Sequence, residues 1–84
     1  MNWFMFFQEL ANKEVTRIEI GVNNGTEEKG VIELVSEEFI VVAPTPDSGT
    51  MTVVPYASIS FVRPVAPPVR RNEVITLLAG IGES

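Results

Sequence analysis

The feature that most constrains this chain is a change of side-chain period at Glu14, from helical spacing to strict alternation. Before it, Trp3, Phe6, Phe7 and Leu10 recur as i, i+3, i+4 and i+7, one face of a helix over residues 2–12 with Asn2 placed to cap it. Phe4 and Met5 fall off that stripe, so the helix is apolar over most of its girth, as expected of a helix buried on more than one side. After it, Thr16, Ile18, Ile20 and Val22 alternate with Val15, Arg17, Glu19 and Gly21, the pattern of a half-buried strand.

Four more strand-length segments follow, separated by turn chemistry. Asn23-Asn24-Gly25 supplies residues that accept positive φ and predicts a hairpin into a second strand, Lys29 to Ser36, with Gly30 as its expected bulge or bend. Phe39 to Ala43 is continuously apolar and reads as the central strand, covered on both faces. Pro44 to Gly49 is an exposed loop, Thr50 to Val54 a fourth strand, Pro55 to Ser58 one 3₁₀ turn, and Ile59 to Arg63 a fifth strand stopped by Pro64. Five short strands in about fifty residues predict a mainly β fold, a small barrel that removes its own sheet edges.

The expected organisation is one barrel domain with its N-terminal helix over residues 1–64, then a proline-rich linker and apolar tail over 65–84. In that tail Val74, Ile75, Leu77, Leu78 and Ile81 fit either a short helix capped by Asn72 or a sixth strand, and Gly80 and Gly82 close it. At 84 residues there is material for one core only.

Composition narrows the chemistry. The chain has no Cys and no His, which excludes disulfides, thiolate metal sites and His-dependent nucleophilic or general-base catalysis. The acidic pairs Glu27-Glu28 and Glu37-Glu38 do not converge, because neighbours in an extended chain point to opposite faces, and no calcium-loop or phosphate-cradling glycine motif is present. A non-catalytic protein with no cofactor and no metal is therefore expected. The apolar run Trp3 to Phe7 lacks a basic flank and ends at Gln8-Glu9, and no stretch has the roughly 20 apolar residues of a membrane span, so the expected location is the cytoplasm, without a membrane partner.

Several segments resemble the Sm-like small barrel of the Sm, LSm and Hfq proteins, and in particular small Sm-like proteins of bacteria. Lys13-Glu14-Val15-Thr16 resembles the opening of that family's first strand. Gly25 followed by Gly30-Val31-Ile32 resembles its first hairpin, and Phe39 to Val42 and Val54-Pro55-Tyr56-Ala57-Ser58-Ile59 resemble its later strands and their linking turn. The resemblance implies a five-stranded SH3-like or Sm-like barrel, rings of subunits joined strand four to strand five, and single-stranded RNA held at two loops. It fails at the RNA contacts: where Sm proteins carry an Asp and an Asn, this chain has Ser36-Glu37-Glu38-Phe39, and where Hfq carries Lys and His it has Pro55-Tyr56-Ala57-Ser58.

Two functional expectations result. The first is a module that self-associates and mediates protein–protein interaction or assembly, with Trp3, Phe4, Phe7, Val53 and Phe61 as interface residues, because two apolar ends are more than one core requires. The alternative is an RNA-binding ring using Phe39 and Tyr56 for stacking and Arg63, Arg70 and Arg71 for phosphates. A net charge of −5 disfavours RNA and DNA alike, since affinity for either follows the number of cations set against phosphates.

Overall fold

A computed structural model describes residues 1–81. Helix α1 spans Trp3–Asn12, and the Asn2 side chain accepts a hydrogen bond from the Met5 amide at 2.8 Å, so the cap falls where the sequence puts it. Phe6, Phe7 and Leu10 are fully buried, while Trp3 and Phe4 are half-buried and Met5 is exposed. Strands β1 (Arg17–Val22), β2 (Glu27–Val35), β3 (Phe39–Ala43), β4 (Thr52–Pro55) and β5 (Ile59–Pro64) follow, with a 3₁₀ turn at Tyr56–Ser58 between the last two. A second 3₁₀ turn, Pro68–Arg70, leads into helix α2, Arg71–Ile81.

The strands form one antiparallel sheet in the order β4-β3-β2-β1-β5. It is an open sheet: among the described residues no ladder joins β4 to β5, which remain its two edges. The central strand is β2 rather than β3. Its nine residues reach both neighbours, whereas the more apolar β3 lies one place from the edge; apolar content follows the packing of its inward side chains, not its place in the order.

The bulge also lies elsewhere than expected. It falls between Ile32 and Leu34, leaving Glu33 as the extra residue. Because one inserted residue restores the face to the next, Ile32 and Val35 both point inward, opposite Val42 and Ile40, and Leu34 turns outward. Gly30 has its own reason: at φ 156° its backbone passes so close to the Ala43 carbonyl that a Cβ would collide with it.

One core joins sheet and helices. Ile18, Ile20, Ile40, Val42 and Val54 from the sheet meet Phe6, Phe7 and Leu10 from α1, Val15 from the α1–β1 connection, and Val74 and Leu77 from α2. Fully burying each such side chain contributes about 1.5–3 kcal/mol, so the segment beyond the prolines is part of the hydrophobic core. It is a helix, and Asn72 lies inside its first turn with its carbonyl accepting from the Thr76 hydroxyl, not at its cap. Of the expected linker, residues 65–67 stay without regular structure, Pro68–Arg70 form the 3₁₀ turn and Arg71 opens α2, with Arg70 joined to Glu73 at 3.0 Å. Gly82 lies outside the described residues.

Candidate functional site

One exposed apolar face is built by the register of β2, β3 and β4. Leu34 stands opposite Val41, and Val41 opposite Val53, all three pointing away from the core side chains that alternate with them. Directly opposed residues lie about 5 Å apart, so they make a continuous apolar row ending at the unpaired edge of β4. Leu34 is 53% and Val53 58% exposed, and Met51, just before β4, is 61% exposed.

A cleft of about 380 Å³ opens at the same end of the sheet, between the β1–β2 hairpin and β4. Val22, Asn23, Asn24, Thr26 and Glu28 line one side, Thr52 to Pro55 the other, and Ser58 closes the end. Both asparagines are engaged in turn structure: Asn23 donates to the Ala57 carbonyl at 3.2 Å and Asn24 accepts from the Thr26 amide at 2.9 Å. Glu28 is the cleft's charged residue.

The five residues expected at an interface are not one surface. Phe7 is fully buried among Trp3, Phe6 and Tyr56 and has nothing to present. Val53 and Phe61 lie on opposite edges of the sheet, and Phe61 is covered by the Arg63 guanidinium 4.5 Å from its ring centroid. Trp3 and Phe4 are half-buried on α1. Leu34 was missed because only the bulge turns it outward, and alternation counted from Gly30 puts it on the same face as Ile32; Val41 sits in the continuously apolar β3, where no alternation marks a face.

Of the residues expected to contact RNA, all but Arg71 have partners within the chain. Tyr56 donates its hydroxyl to the Ser36 carbonyl and its ring stacks on Phe7, and burial pushes its pKa up to about 12. Phe39 pairs across the ladder with Pro55 and is half-buried. Arg63 lies 3.7 Å from Glu27, and Arg70 shares Glu73 with Lys13. The Arg70 hydrogen bond, aided by Lys13, holds the Glu73 carboxyl below its usual range. Of that set, Arg71 at the start of α2 is the cation with no ion pair among the described residues.

Among the described residues no group of three or more acidic side chains converges as a metal site, and no helix is long and apolar enough to cross a membrane. No family model matches the chain, and no curated protein matches its sequence.

Proposed function

We propose that this chain is a non-catalytic, Sm-like small-barrel module of the cytoplasm that self-associates and serves in protein–protein interaction or assembly. The observation that carries the reading is the exposed row Leu34–Val41–Val53, extended by Met51, running to the open edge of β4. Exposed apolar side chains beside an unpaired strand edge are what a polypeptide partner covers, burying the apolar row and satisfying the edge amides and carbonyls at once. The order β4-β3-β2-β1-β5, with a one-turn 3₁₀ link between the two edge strands, supports the likeness to the Sm-like barrel and leaves β4 and β5 free for a second copy. The pairing of Arg63 and Arg70 with acidic neighbours favours protein over RNA as the partner.

Solution mass of the full chain by multi-angle light scattering is the test. The expected result is a defined multiple of the monomer, shifted toward monomer by Leu34→Glu without loss of the far-ultraviolet dichroism spectrum. A strict monomer at high micromolar concentration overturns the proposal.

A further inference from the structure

Glu27 and Glu28 are neighbours in sequence and opposites in situation. Glu27 stands across β1 from Gly21, and its carboxylate lies 3.7 Å from the Arg63 guanidinium. Glu28 stands across from Ile20, whose side chain is fully buried, so Glu28 points to the inward side of the sheet. There it meets no cation and no hydrogen-bond donor among the described residues, and it lines the cleft beside β4. The cleft thus combines one half-buried unpaired carboxylate with apolar walls from Val22, Val54 and Pro55 and hydroxyls from Thr26 and Thr52.

We propose that this cleft binds a lysine or arginine side chain presented by an extended segment of a partner polypeptide. The aliphatic stem of such a side chain fits the apolar walls, and its charged end supplies Glu28 with a charge-assisted hydrogen bond. Other ligand classes fit worse. An anion meets a carboxylate in a chain of net charge −5, a neutral apolar ligand buries that carboxylate without a partner, and a divalent ion finds one acidic ligand where it needs several. The extended form of the segment follows from the cleft's second wall. That wall is β4, an edge strand, and a strand added to its free edge directs every second side chain to the inward side. The carboxylate lies on the inward side and the Leu34–Val41 row on the outward side, but a bound segment and a second copy both use the free edge of β4, so the two compete for that edge while only the segment engages Glu28.

The experiment titrates acetyl-Val-Lys-Val-amide into the isotope-labelled full chain and follows backbone amide shifts, with acetyl-Val-Gln-Val-amide and n-butylamine as companion probes. Saturable shifts at Glu28 and Thr52 to Val54 with the lysine peptide are expected, weakened about tenfold or more with the glutamine peptide and in Glu28→Gln. Glu33→Gln removes the same unit of charge from an exposed position on the same strand, and is expected to bind as wild type does. Equal weakening by Glu33→Gln, undiminished binding by Glu28→Gln in a chain whose amide spectrum shows it folded, or absence of saturable shifts overturns the proposal. Butylamine binding as tightly as the lysine peptide overturns the polypeptide assignment in favour of a small-amine site.

Discussion

The rings of Tyr56 and Phe7 lie with centroids 5.8 Å apart and planes within 15° of parallel, joining the 3₁₀ turn between β4 and β5 to helix α1. On its other end Tyr56 donates its hydroxyl to the Ser36 carbonyl in the β2–β3 turn, so one side chain ties three segments together.

That arrangement has a pH consequence. Burial raises the Tyr56 pKa from 10.0 to about 12, so the folded chain keeps its proton where the unfolded chain releases it. The stabilising contribution is fully present below pH 10 and is lost as pH rises through about 12. Ultraviolet difference absorbance is the check: the chain has one Tyr, and its phenolate signal is expected to appear late and together with unfolding.

Tyr56→Phe keeps the ring on Phe7 and removes the donor to Ser36. The expected cost is about 1 kcal/mol by urea unfolding, that of one hydrogen bond, and the elevated titration disappears with it.

Gly30→Ala is expected to destabilise strongly, by roughly 2–4 kcal/mol, because the new methyl meets the Ala43 carbonyl on the neighbouring strand. Gly25→Ala is the contrast. Gly25 has φ 91° in the hairpin turn with open space around it, so only backbone strain opposes the substitution, roughly 1 kcal/mol. Chemical denaturation of the two variants ranks them.

Leu77→Ala tests whether α2 belongs to the core. Leu77 is 8% exposed and packs in the same cluster as Phe6 and Ile40, so truncation is expected to cost about 2–3 kcal/mol in a single cooperative transition. A change below about 0.5 kcal/mol would mean that α2 is an appendage.

Binding to oligo(U) and oligo(A), followed by fluorescence anisotropy at low salt, is expected to be absent. Arg63 and Arg70 are paired with Glu27 and Glu73, and a net charge of −5 repels phosphates. Salt-sensitive binding would instead favour the RNA-ring reading.

Local patterns carried a good part of this molecule into view. Asn2 and the Trp3–Phe6–Phe7–Leu10 stripe determine α1, alternation at Ile18 and Ile20 determines the inward face of β1, and Asn23-Asn24-Gly25 determines the first hairpin, because each is set by residues close enough in the chain to meet within one or two turns. Glu14, at φ 60°, marks where helix gives way to strand, as the change of period says it should.

What only the tertiary structure decided is which surfaces are left. Phe7 reads as an interface residue until Tyr56, nearly fifty residues away, closes over it. The tail reads as helix or strand, free or docked, until the sheet and α1 leave a gap that Val74 and Leu77 fill. Leu34 takes its outward face from the bulge at Glu33 and Glu28 its inward face from Ile20 on the strand opposite, and a one-residue insertion moves a side chain from one face of a sheet to the other. Those outcomes depend on cross-strand register and long-range packing, which join residues that no local window contains.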